Sequence, residues 1–278
     1  MRAHPELPRE PVHLNRYFHF TETMRDPAVE VSVVRYVSTF DHTVQSLLVM
    51  RPTGQLPKKL FFFLHGMDGD VGDAVVVRDI VKGLGAMVVA TGGRGPTWLS
   101  DEFLADAKYV IGKFSKRFRG YYLIGISMGA TQALALPGLL PERIRLAIRG
   151  VIALLPGSDL LAISTSSSHI RVRNTLNASV KGNRALLHRR SPINLINRYQ
   201  TKLPFVIFYN EDDTLLLAKE LKKYLLALRG SGHPLVVFTA PGNHKFTYKF
   251  FDYVMIFRQL GKVSKRKQAP PLSRREEV

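Results

Sequence analysis

The 278-residue chain contains no cysteine. That excludes a disulfide framework, a cysteine nucleophile and a cysteine-ligated metal. Long apolar runs are missing too, and none reaches the roughly 18 residues that span a bilayer. The opening "MRAHPELPREPVHLNRYFHF" lacks the apolar stretch of a secretory signal. A cytoplasmic location is therefore the expectation. Tryptophan occurs once, at Trp98. Acidic residues are scarce beside basic ones, 22 against 40, for a formal net charge of +18. Such a surface attracts anions, so weak non-specific binding to anionic polymers or membrane surfaces is expected. No zinc-finger spacing, RNP-type aromatic strand or helix-turn-helix accompanies the charge, and no specific nucleic-acid site is read. The cations are spread from Lys108 to Arg119, from Arg143 to Arg149 and from Arg171 to Arg190, as a general surface property would be.

What the chain has is alternation. Short apolar runs occur at 29–37, 44–51, 59–66, 86–93, 121–127, 150–157, 204–210 and 234–242. The first two read as a hairpin turning through "STFDH". "KLFFFLHG" and the runs after it are nearly continuous, as expected of strands buried on both faces. Amphipathic stretches at 73–84, 100–117, 128–136, 141–149, 215–228 and 245–260 read as helices. Strand–helix alternation predicts an α/β fold, an eight-stranded mostly parallel sheet with helices on both faces. Three segments break the rhythm. Residues 1–28 read as a proline-rich arm, 158–200 as an inserted lid-like segment within a domain spanning 29–261, and 262–278 as a basic, disordered tail.

In an open parallel sheet the reactive crevice lies at the carboxyl ends of the strands. The fifth strand runs into Gly125-Ile-Ser127-Met-Gly129 and then a helix. The pentapeptide recurs by chance, so its context decides. A nucleophile on a sharp strand-to-helix turn needs small neighbours, and the helix N-terminus supplies N–H groups toward a developing oxyanion. A serine also needs a base, and the base needs an orienting carboxylate. "NEDD" follows the seventh strand and "PGNHKF" the eighth. His244 is the natural base and Asp213 the chosen acid, with Asp212 the near alternative and Glu211 less suited. The third strand ends in "LHGMDGD", which can aim the Met67 N–H at the same oxyanion as that of Met128. His65, Gly66 and Trp98 are read as lining the substrate pocket. The His65 ring is structural there, because it would lie on the oxyanion side, away from Asp213.

With these residues the chain resembles the α/β-hydrolase superfamily over about residues 30–260. It looks most like the esterase and prolyl-oligopeptidase-like branch, which includes feruloyl and acetylxylan esterase relatives. "LHGMDGD", "GGRGPTW" with Asp101 and Asp106, "GISMGA", "SPINLI", "NEDDTLLLAKELKKYL" and "PGNHKF" stand where that branch has similar stretches. The resemblance implies a Ser127–Asp213–His244 triad, an oxyanion hole from the Met67 and Met128 N–H groups, and neither metal nor organic cofactor. It implies a serine hydrolase acting on a small ester through an acyl-enzyme. A peptidase or acyltransferase of the same fold, or an inactive fold binding an anionic partner, are the other readings. Peptidase relatives carry a propeller ahead of the catalytic domain, and only 28 residues precede the first strand here, which favours the esterase. Two features depart from the branch. Asn210 stands where glycine is common before the acid turn. Asp68 and Asp70 sit in the oxyanion loop, where a carboxylate opposes the oxyanion unless it points away.

Overall fold

The computed structural model describes residues 26–92, 94–244 and 252–265. Eight strands form one sheet in the order β1-β2-β4-β3-β5-β6-β7-β8. They are Val29–Val37, Val44–Pro52, Lys59–Leu64, Ala86–Thr91, Tyr121–Ile126, Ile148–Leu154, Phe205–Asn210 and Leu235–Ala240, numbered β1 to β8. β1 and β2 form the antiparallel hairpin, in register from Val29 with Pro52 to Val37 with Val44. β2 lies antiparallel to β4, and β4, β3, β5, β6, β7 and β8 are parallel. The right-handed crossovers that parallel pairing requires place helices on both faces.

The continuous apolar runs are explained by those two faces. In β3, Phe61 and Phe63 point to one side, against α1 (Arg78–Leu84) and α9 (Tyr253–Lys265). Leu60, Phe62 and Leu64 point to the other, against α2 (Asp101–Ser115), α3 (Met128–Leu139) and α8 (Ala218–Gly230). Successive residues of a strand alternate in direction, so burial on both faces requires every residue to be apolar.

Residues 158–200 hold three short helices, α5 (Leu160–Ser166), α6 (Ile170–Ser179) and α7 (Arg184–Arg190), followed by two 3-10 turns. Leu160, Ile163, Val172, Leu176 and Leu187 join the main core on the α3 side of the sheet, so the segment is packed onto the body. A helix of four residues, α4 (Glu142–Arg145), precedes β6.

Several expected boundaries move. The helix expected over 141–149 stops at Arg145, because Ile148 already pairs with Tyr121 as the start of β6. The helix expected from Asp73 begins as a 3-10 turn, Val71–Val77, whose first turn is capped by Asp70 accepting the Gly72 N–H at 2.7 Å. The helix expected from Leu215 begins at Ala218, because the Asp213 carboxylate takes the N–H groups of Leu215 and Leu216 and Leu217 has φ +61°. α9 runs to Lys265, five residues past the helix end expected at Leu260. Most of the arm at 1–28, the start of the helix expected from Lys245 and the tail from 266 lie outside the described residues. Among the described residues no helix is long and apolar enough to cross a membrane.

Candidate active site

Ser127 stands alone between the end of β5 and the first residue of α3, with φ +55° and ψ −115°. That backbone region is disfavoured for a residue with a Cβ and persists only where the surroundings enforce it. Here the Ser127 N–H donates to the Leu154 carbonyl at 2.8 Å, and its own carbonyl accepts from the Thr131 N–H at 3.0 Å. The flanking glycines are required by close approach. A Cβ on Gly125 would fall 2.2 Å from the Gly129 carbonyl oxygen, and one on Gly129 would fall 2.1 Å from that of Leu64. The elbow is thus wedged against the end of β3, with Gly66 passing beside the Ser127 Cβ.

Three side chains join in series at this edge. Ser127 Oγ lies 2.8 Å from His244 Nε2, and His244 Nδ1 lies 2.6 Å from Asp213 Oδ2. The other Asp213 oxygen accepts from the Leu215 and Leu216 N–H groups at 2.8 and 2.9 Å. A carboxylate held by two amides has one oxygen left to orient the imidazole. Asp212 is turned away and accepts the Gly242 N–H at 3.0 Å; Glu211 is exposed. Asn210 and Asn243, which the sequence reading gave no role, tie the two loops together. The Asn210 amide donates to the Asn243 carbonyl, and Asn243 Oδ1 accepts from the Thr214 and His244 N–H groups. The only signal for this is that each asparagine directly adjoins an acid or histidine loop.

On the opposite side of Ser127 runs the loop after β3. The Met67 and Met128 N–H groups, offered as oxyanion donors, have no acceptor among the described residues. The Met128 side chain is buried in the core. His65 is buried, with Nδ1 2.6 Å from the Gly66 carbonyl and Nε2 3.0 Å from that of Gly92, and it is not among the residues lining the cavity. Its ring bridges the ends of β3 and β4. The acidic loop is largely neutralised by geometry. Asp68 pairs with Arg171 of α6 at 2.7 Å, and Asp70 caps the 3-10 turn. Asp73 is the carboxylate that the sequence reading overlooked. It lies against Gly69, where a Cβ would fall 1.9 Å from Asp73 Oδ2. Burial pushes the Asp73 carboxyl above its ordinary 3.8; the His65 ring opposes this and Asp70 adds to it.

These groups surround a cavity of about 430 Å³, whose wall includes Gly66, Met67, Asp73, Ser127, His244 and Trp98. Trp98 is almost fully buried, at 1% exposure. Arg94 is not among the residues lining this cavity. It is paired with Asp41 in the hairpin turn and with Asp106 of α2, and Ser38 also donates to Asp106. Among the described residues no group of three or more histidine or carboxylate side chains converges as a metal site would require.

No family model and no curated protein matches the chain. Solved structures do. A thermostable esterase from Pseudomonas putida ECU1011 superposes with a TM-score of 0.62 at 18% identity, over 85% of this chain and 82% of that one. The acylaminoacyl peptidase of Pyrococcus horikoshii gives 0.65 at 13% identity, over 87% of this chain and 43% of that one. A puromycin hydrolase gives 0.65 at 17%, over 86% and 39%. The chain has the α/β-hydrolase fold. Within that fold, the edge carrying Ser127, Asp213 and His244 is the one formed by the carboxyl ends of β5, β7 and β8. The solved α/β-hydrolases it resembles include both esterases and peptidases.

Proposed function

We propose that this α/β-hydrolase is a serine hydrolase that cleaves carboxylic esters through an acyl-enzyme. The observation that carries the reading is the unbroken series Ser127–His244–Asp213 at a strained elbow facing a cavity. In this mechanism His244 Nε2 takes the Ser127 proton as Oγ attacks the ester carbonyl. Asp213 holds the Nδ1–H tautomer and stabilises the imidazolium. The Met67 and Met128 N–H groups receive the tetrahedral oxyanion, with the α3 N-terminus adding its dipole. The intermediate collapses as His244 protonates the leaving alcohol. Water, deprotonated by the same ring, then releases the acid and restores Ser127.

Amide hydrolysis is the second reading, favoured by the peptidase among the similar structures. The alcohol and amine leaving groups differ in basicity but use the same groups, so paired substrates separate the two. Turnover of a p-nitrophenyl acetate but not of the matching p-nitroanilide supports the esterase. The first test is labelling by a fluorophosphonate probe. Wild type should label, and Ser127→Ala and His244→Ala should not. Absence of labelling in folded wild-type protein would remove the hydrolase reading. Ester turnover should fall by about four orders of magnitude in Ser127→Ala, since the residues of such a series act as a unit.

A further inference from the structure

The cavity beside Ser127 ends at Trp98, and there is more space behind it. A second cavity, of about 350 Å³, lies under the same inserted segment. Its wall includes Pro96, Thr97, Ala178, Val180 and Leu186, and also Thr175. Thr175 connects the two spaces. Its Oγ1 accepts the Trp98 indole N–H at 3.1 Å and lies 3.4 Å from Met67 Sδ, and both Trp98 and Met67 border the first cavity.

Helix α6 roofs both. Val172 lines the first cavity, Thr175 meets the partition and Ala178 lines the second. Each step of three residues turns the side chain by about 60°, so the three progress around the helix and along about 9 Å of axis, from buried Val172 to exposed Ala178. The two cavities thus meet at Thr175, which lines the second and holds the indole that lines the first. The indole is firmly held. Trp98 has φ +46°, its carbonyl accepts from the buried Gln132 amide, and its indole N–H is bound by Thr175. The second cavity suits hydrocarbon. Of its four charged residues, Arg94 is paired with Asp41 and Asp106 and Asp101 with Arg190, while Lys181 is exposed and Glu102 half-buried. Pro96, Ala178, Val180 and Leu186 give the wall an apolar stretch, beside the hydroxyls of Thr97, Ser100, Thr175 and Ser179.

We propose that Trp98 sets the substrate chain length: it closes the nucleophile's cavity and withholds a second cavity that would seat the hydrocarbon of a medium-chain ester. This rests on the ester-hydrolase reading. The test uses the full chain, with p-nitrophenyl esters from acetate to octanoate and, in parallel, acetates of alcohols of rising length. The first series probes the acyl half of the ester and the second the alcohol half. Wild type should favour the shortest member. Trp98→Leu, and the milder Trp98→Phe should the leucine variant fail to fold, should raise the ratio of long-chain to short-chain kcat/KM about tenfold or more in one series. Adding Ala178→Phe to either variant should refill the second cavity and return the ratio. Ala178→Phe alone should leave it unchanged. An unchanged ratio in a folded variant that still turns over acetate overturns the proposal. So does a raised ratio that Ala178→Phe does not reverse, because the new room then lies elsewhere. Wild-type protein that is folded but cleaves no ester overturns the ester-hydrolase reading itself.

Discussion

Asp212 and Asp213 are the same chemical group one residue apart, and their surroundings divide their roles. Asp213 has two amides on one oxygen and the His244 ring on the other, whereas Asp212 holds the Gly242 N–H. Asp213→Asn should therefore lower kcat toward p-nitrophenyl acetate by about 10⁴, through loss of the correct imidazole tautomer. Asp212→Asn should stay within a few-fold of wild type in the same assay. Asp73 gives a prediction with a pH sign. Its folded-state pKa lies above the ordinary 3.8, so ionised Asp73 opposes folding. That penalty is complete above the raised value and vanishes below 3.8. Asp73→Asn should raise the melting temperature at pH 7, and its margin over wild type should narrow as the pH falls toward 4. A constant margin would mean that the effect is not one of charge.

At the scale of elements, the elbow and α6 have opposite tolerances. The elbow is backbone packed on backbone. Gly129→Ala drives a Cβ to 2.1 Å from the Leu64 carbonyl oxygen, with no flexible side chain able to yield. Overpacking of this kind should exceed about 3 kcal/mol, seen as a large loss in urea midpoint or as failure to fold. Helix α6 reaches the loop after β3 through Arg171 and Asp68, whose side chains are 56% and 62% exposed. A pair so exposed contributes under about 1 kcal/mol to stability. Its consequence is electrostatic. Arg171→Ala leaves Asp68 uncompensated next to the Met67 N–H and should lower kcat/KM several-fold with little change in melting temperature. Adding Asp68→Asn should restore the rate, and failure to restore it would assign Arg171 a different role.

For the whole molecule the dominant quantity is the charge of +18. Few of the cations are balanced by the ion pairs of the site, so the surface field is long-ranged at low salt and screened within about 8 Å at physiological salt. We expect weak retention on heparin or on anionic vesicles that falls steeply as salt rises and is the same for Ser127→Ala. Retention that persists at high salt, or that depends on Ser127, would point to a specific site instead.

Much of the architecture is legible without coordinates. The apolar runs mark strands with two buried faces, and their alternation with amphipathic stretches dictates parallel pairing. Parallel pairing gathers all the carboxyl ends, so Ser127 after β5, an acid after β7 and His244 after β8 had to share an edge. The spacing of Gly125 and Gly129 about Ser127 is equally local, set by contacts a Cβ would break. Other features depend on residues far apart in the chain, and only tertiary structure decides them. The choice of Asp213 over Asp212 depends on Asn210 and Asn243, which clamp two loops that sequence alone leaves independent. The partners of Arg94 come from the hairpin turn and from α2. The end of the helix expected over 141–149 gave way to β6 from Ile148, because pairing with β5 outweighs local propensity there. The bond between Trp98 and Thr175, where the two cavities meet, depends on α6 settling over the loop after β4. Period and spacing determine which elements form and where their ends meet; which side chain meets which at that edge is decided by long-range packing.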